Sequence, residues 1–148
     1  MTKRETIRRL TRNRGKLAAF HVRRLSLFGS TARDEAREQS DVDLLVEFEP
    51  DVPVGLFTFV GLQRFLSDVL GSGVSLAALS GPTIADELAR KLPATACAAA
   101  RDEALAQRVQ ATFNCSWFRV YTNTDLIGVE LAGAMKNRSE EHTSELQS

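Results

Sequence analysis

The chain has 148 residues, a length that suits one domain of ordinary size. Its 43% hydrophobic and 26% charged residues, with a formal net charge of +0, are the composition of a globular protein. They exclude a membrane span, because Arg64, Asp68 or glycines interrupt every apolar stretch before the roughly 18 residues a span needs.

Residues 1–10 are charged with no apolar core behind them, so no signal peptide is expected. The first 24 residues carry nine Lys/Arg and a single acid, Glu5. Such a run is either a solvated helix face or a contact surface for nucleic acid or an acidic partner. No aromatic residue is interleaved among the basic residues of 3–16, which argues against a single-stranded nucleic-acid partner. Residues 2–18 read as a helix with Thr2 as N-cap and Glu5 three positions on, weakened near its end by Gly15. Ile7, Leu10 and Leu17 are its candidate core residues.

Residues 21–28 alternate apolar and polar side chains and predict a strand. Gly29-Ser30 is a turn. Residues 31–39, charged and free of Gly and Pro, predict a short helix. Residues 42–48 predict a mostly buried strand, followed by a loop over 49–53. Residues 56–70 carry an apolar stripe at Leu62, Phe65, Leu66, Val69 and Leu70 and predict a helix ended by Gly71-Ser72-Gly73. A short apolar run follows at 74–79. Beyond Gly81-Pro82, helices are predicted over 84–92, 102–113 and 126–135, and strands over 95–99 and 118–121. Residues 138–148 have no apolar periodicity and predict disorder. Cys97 and Cys115 lack metal-ligand spacing and read as core or surface thiols in a reducing, cytoplasmic compartment.

Chemistry concentrates between residues 27 and 46. A strand ending at Phe28 turns on Gly29 into a helix. Backbone N–H groups at such a turn suit a phosphate, with Ser30 and Arg33 as further donors. Asp41 and Asp43 then stand two apart at the start of an apolar strand, so both carboxylates face one side. Two carboxylates on one face repel unless a cation sits with them. Mg²⁺ takes carboxylate and substrate phosphate oxygens together, so the pair predicts a metal site. A phosphate-holding turn beside such a site is hardware for phosphoryl transfer.

The run GSTARDEAREQSDVDLLVEF, residues 29–48, resembles the nucleotidyltransferase superfamily that includes polymerase beta, and its minimal branch in particular. The resemblance covers residues 1–78. It implies a mixed α/β sheet, with Gly29, Ser30 and Arg33 at the nucleotide and Asp41 and Asp43 as catalytic, metal-binding carboxylates. It also implies Mg²⁺ with ATP or another nucleoside triphosphate, and transfer of a nucleoside monophosphate to a hydroxyl of a protein or small molecule. Many minimal members are antitoxins whose partner is a HEPN-domain toxin. Two positions depart from the pattern. Asp34 stands where glycine is usual, and Val74-Ser75-Leu76 stands where a third carboxylate is usual, which predicts impaired turnover.

Residues 79–137 resemble a different family, the NAD(P)-dependent glycerol-3-phosphate dehydrogenases, on LSGPTIADELARKLPATACAAARDEALAQRVQATF and FRVYTNTDLIGVELAGAMKN. That resemblance implies a partial Rossmann-like α/β fragment, with Gly81 and Thr83 at the phosphate substrate, Ala85 near the cofactor and Lys136 as the catalytic lysine. The Gly-x-Gly-x-x-Gly turn that seats a dinucleotide is absent from the sequence, so NAD(P) binding and dehydrogenase activity are not expected. The final RSEEHTSELQS resembles a translated sequencing adapter. The chain therefore reads as a chimera joined near residues 72–79. Its leading function is metal-dependent nucleotidyl transfer, or an antitoxin built on that fold. The alternatives are an inactive dehydrogenase fragment and a non-catalytic partner-binding module.

Overall fold

The structure, a computed structural model, describes residues 1–49, 52–80 and 89–125. Helices α1 (Lys3–Arg12) and α2 (Arg14–Ala18) lead into strand β1 (Val22–Phe28), the short helix α3 (Gly29–Ala32) and strand β2 (Val42–Phe48). Helix α4 (Leu56–Leu70) connects β2 to β3 (Val74–Ser80). Then come β4 (Ala94–Ala100), α5 (Glu103–Phe113) and β5 (Phe118–Asn123). The class is α/β, with one mixed five-stranded sheet ordered as in the chain, β1-β2-β3-β4-β5.

Two β-α-β units make up most of that sheet. Strands β2 and β3 are parallel across α4, and β4 and β5 are parallel across α5. The units meet antiparallel at β3–β4. Crossovers of this kind are right-handed almost without exception. Reversing the strand direction while the sheet grows the same way therefore moves the second helix to the opposite face. The two cores bear this out. Leu62, Leu66 and Leu70 of α4 pack with Val42, Leu44, Val46, Leu76 and Ala78. Leu105, Ala106 and Val109 of α5 pack with Leu45, Ala77, Leu79, Ala98 and Phe118. Successive residues of β2 and β3 thus feed opposite cores, as period-two side chains must.

Several elements differ from expectation, each for a local reason. The helix expected over 2–18 breaks at Asn13, whose side chain donates to the Arg9 carbonyl at 2.9 Å and which caps α1. Thr2 caps the start, accepting from the Glu5 N–H at 3.2 Å. Leu17 is buried and Leu10 packs against the same core, but Ile7 is 47% exposed, and Thr6 is the buried residue of α1. The helix expected over 31–39 is a single turn starting at Gly29. It has no apolar stripe to bury, and a short helix without packing is marginal in water. It stops where Asp34 takes φ 57°, the left-handed region. This is the position where the resemblance expects glycine, and the backbone conformation supplies the reason. Asp can occupy it, and its Oδ1 accepts from the Lys3 N–H at 2.7 Å, tying the turn to the start of α1. The helix expected over 56–70 has those bounds and ends at Gly71, φ 66°. The helices expected over 84–92, for the most part, and over 126–135, together with the adapter-like tail, lie outside the described residues.

Candidate functional site

Asp43 is the second residue of β2 and lies in register with Phe28 on one side and Ser75 on the other. Its side chain is 13% exposed. Gly29, at φ 66°, brings its backbone so close to this carboxylate that a Cβ there would collide with Oδ2. The glycine bend and the acid are therefore in direct contact. Only glycine both tolerates the conformation and leaves the space.

Asp41 is exposed, one residue before β2. Its carboxylate rests on the backbone of Gly73 in the same manner, so a Cβ there would meet Oδ1. The Ser75 hydroxyl lies 3.4 Å from Asp41 Oδ2. Ser75 thus neighbours both acids, as cross-strand partner of Asp43 and as hydrogen-bond donor to Asp41. The position the resemblance expects to carry a third carboxylate falls within the site and carries a hydroxyl.

Electrostatics marks Asp43 as the strained member. Burial raises its pKa from the ordinary aspartate value. The Arg108 guanidinium opposes that rise, and the charges of Asp102 and Asp41 add to it. Arg108 Nη2 donates to Asp43 Oδ2 at 2.8 Å. Asp102, which caps α5 by accepting from the Ala104 N–H at 2.9 Å, lies close enough for its charge to be felt. Neither residue was singled out by sequence reasoning. Arg108 lies on, and Asp102 caps, the helix that the reversed second unit lays over this face, and Arg108 reaches Asp43 across 65 residues of chain.

The other expected phosphate contacts are placed less favourably. Ser30 is half-buried beside Gly29. Helix α3 has only four residues, so its summed dipole is small and any anion binding there rests on the opening N–H groups. Arg33 points to solvent with its Nε 2.8 Å from Glu35 Oε2, an exposed local pair that leaves the acid pair without it. Gly81, Thr83, Ala85 and Lys136 lie outside the described residues. No group of three or more potential metal-ligating side chains occurs among the described residues. Two carboxylates are the number with which Mg²⁺ is commonly held when substrate phosphates complete its shell. The donors present, a desolvated Asp43 beside Asp41, fit such a cation in chemistry.

A family model described as a nucleotidyltransferase domain matches residues 5–93, more than half of the chain. The chain belongs to this family. All of β1, α3, β2, α4 and β3 fall inside the match. Nucleotidyl transfer is thus the chemistry of the family whose elements carry Gly29, Asp41 and Asp43. Curated relatives point elsewhere for the later residues. Glycerol-3-phosphate dehydrogenase [NAD(P)+] of Geobacter sp. (strain M21) is 57% identical over 63 residues, 43% of this chain and 19% of that protein. The enzyme of the same name from Streptomyces griseus is 43% identical over 103 residues, 64% of this chain and 31% of the relative. A crystal structure of glycerol-3-phosphate dehydrogenase from Coxiella burnetii is 37% identical over 51% of this chain and 23% of its own, with a TM-score of 0.43. The chain spans less than a third of the length of either curated relative. The Streptomyces match takes in more of the chain than lies outside residues 5–93, so the two likenesses overlap. Two segments of different likeness are joined in one polypeptide. No helix among the described residues is long and apolar enough to cross a membrane.

Proposed function

We propose that this nucleotidyltransferase-family site holds a divalent cation, Mg²⁺ in a cell, with a nucleoside triphosphate such as ATP, and that its turnover is weak. The observation that carries the reading is the contact between Gly29 and the desolvated Asp43 carboxylate, with Asp41 beside it. Burial makes the ionised form of Asp43 less favourable than in water, Arg108 offsets this only in part, and a bound cation would relieve it further. In this reading Asp43 and Asp41 hold the cation, and the backbone at Gly29 and Ser30 receives phosphate oxygens. The cation supplies charge neutralisation and activation of an attacking hydroxyl. Weak turnover follows from Ser75, whose neutral hydroxyl lies where a third anionic group is expected and already bonds Asp41. Titration calorimetry of the full chain with ATP and Mg²⁺ tests the proposal. Heat that disappears in the Asp41→Ala plus Asp43→Ala variant supports it. Absence of heat in the parent chain would overturn it.

A partner-binding role rests on a separate observation. Helix α1 presents exposed Arg4 and Arg8 together with the 47% exposed Ile7, a basic surface with an apolar spot. We infer from the resemblance that its partner is a helical HEPN-domain toxin, as in antitoxins of the minimal branch. Pull-down of such a toxin that survives the double Asp substitution would favour this role over catalysis. For the later segment we expect no binding of NAD(P), since no dinucleotide-seating glycine turn stands in the sequence.

A further inference from the structure

Asp43 already has a cation. Arg108 Nη2 sits 2.8 Å from Asp43 Oδ2, and Oδ2 is the oxygen turned toward the Gly29 bend. A divalent ion bridging this carboxylate to a phosphate at the bend would need that same oxygen. The guanidinium is held there by its helix. Leu105, Ala106 and Val109, all 1% exposed or less, fix α5 against the sheet and leave Arg108 on the rim with its side chain 46% exposed. The other charges facing Asp43 are Asp41 and Asp102, both acidic, so Arg108 is the cation that offsets Asp43 among the described residues.

We propose that Arg108 is a built-in competitor for the metal, occupying Asp43 Oδ2 in the resting chain so that a divalent cation binds only by displacing it. This rests on the metal site proposed above. Its physical basis is exclusion. Two cations cannot share one oxygen at contact distance without strong repulsion, and a guanidinium that leaves Asp43 must be resolvated at the rim. The exposed half of the Arg108 side chain makes that exchange feasible, whereas a fully buried pair would lock the site. The consequence is autoinhibition set by the placement of α5, a helix that residues 5–93 do not contain.

The experiment uses the full chain and Mn²⁺ alone as probe, with free Mn²⁺ followed by electron paramagnetic resonance. Arg108→Gln keeps a good helix former at an exposed position and removes the charge. It is expected to tighten Mn²⁺ binding about three- to tenfold, the scale of releasing one partly exposed ion pair. Arg119→Gln removes an equal charge from β5, away from the bend, and is expected to change binding little. Equal or weaker binding by Arg108→Gln, with binding by the parent chain abolished by Asp41→Asn plus Asp43→Asn, would overturn the competitor role and leave the metal site standing. Equal tightening by Arg119→Gln would also overturn it, since the effect would then be bulk charge. Absence of Mn²⁺ binding in every variant would remove the metal site itself. Should Arg108→Gln fail to fold, Arg108→Met keeps an unbranched, helix-compatible side chain without the charge and is read in the same way.

Discussion

The two β-α-β units of this sheet share a topology and differ in what fills them. The first is lined by Val42, Leu44, Val46, Phe59, Leu62, Leu66 and Leu70, large side chains that interdigitate. The second is built on β4, whose sequence is ATACAAA, so that Ala96, Ala98 and Ala100 are its share of the core and Leu105, Val109 and Phe118 supply most of the bulk. The seam between the units pairs Ala77 with Ala100 and Ala78 with Ala99. Backbone hydrogen bonds cross it, and the apolar contact across it is the second core itself, where Leu45, Ala77 and Leu79 of the first unit meet Leu105, Val109 and Phe118. Hydrophobic stabilisation scales with area removed from water, at about 25 cal/mol per Å². The first core, with its larger side chains, should therefore contribute more to stability, while the alanine-rich second core contributes less and brings Arg108 and Asp102 to Asp43.

The sharpest way to break this contrast is to hollow out each unit in turn. Leu66 is 0% exposed and Leu105 is 1% exposed. Leu66→Ala should cost about 3–5 kcal/mol and lower amide protection across the whole sheet. Leu105→Ala should cost about 2–3 kcal/mol, with protection lost over β4, α5 and β5 and retained in β2. Hydrogen exchange with denaturant titration reads both. Uniform loss in Leu105→Ala would show that the seam couples the units more strongly than its alanines suggest.

Next in size is the bend that joins fold to chemistry. Gly29→Ala places a Cβ on the Asp43 carboxylate and forces a non-glycine residue to φ 66°. Together these should cost about 1–3 kcal/mol. They should also displace Asp43, so that binding of Mn²⁺ falls further than stability alone accounts for. Thermal melts and metal titration on one preparation separate the two effects.

Asp34→Ala probes the edge of the same unit. It removes the bond to the Lys3 N–H and puts alanine in the left-handed region, for an expected loss of about 1–2 kcal/mol by denaturant titration. Asp34→Gly loses the bond and relieves the backbone, and should stay within about 0.5 kcal/mol of the parent chain. A large loss in the glycine variant would assign the role to the hydrogen bond rather than to the conformation.

Much of the first unit was legible in the sequence because its signals are local and agree. The period-two pattern of residues 42–48, the stripe of α4 and the glycine stop at Gly71 each specify an element without reference to the rest. The apposition of Gly29 and Asp43 follows from a strand that turns and pairs back antiparallel. The second unit's strands and α5 were also legible, since Asp102 is a plain N-cap. Their placement was not. Nothing local says that β4 runs antiparallel to β3, and it is this reversal that lays α5 over Asp43. Arg108 reads in sequence as one more exposed helical arginine. The single turn of α3 escaped for a different reason: the glycine usual at residue 34 is a signal for a left-handed position, but Asp34 in its place hides it until the backbone is seen.

The smallest expected effect bears most directly on whether the second unit compensates the first. Burial raises the pKa of Asp43 above its ordinary 3.8, with Asp102 and Asp41 contributing, and Arg108 opposes without cancelling the rise. A carboxyl whose folded pKa exceeds its unfolded value favours folding in its protonated form. That contribution is complete below about pH 3.8, is lost as pH rises through the folded value, and stays absent at neutrality. Asp43→Asn has no such charge to desolvate. Without divalent metal, the variant should be more stable than the parent at pH 7, by about 0.5–1 kcal/mol, and the advantage should shrink toward zero as pH falls below 4. Denaturant titration at the two pH values reads this difference directly. A less stable variant at pH 7 would mean that the ion pair with Arg108 outweighs the desolvation of Asp43. The α5 layer would then be a stabilising partner of the acid pair, and a metal would have to overcome the full strength of that pair to enter.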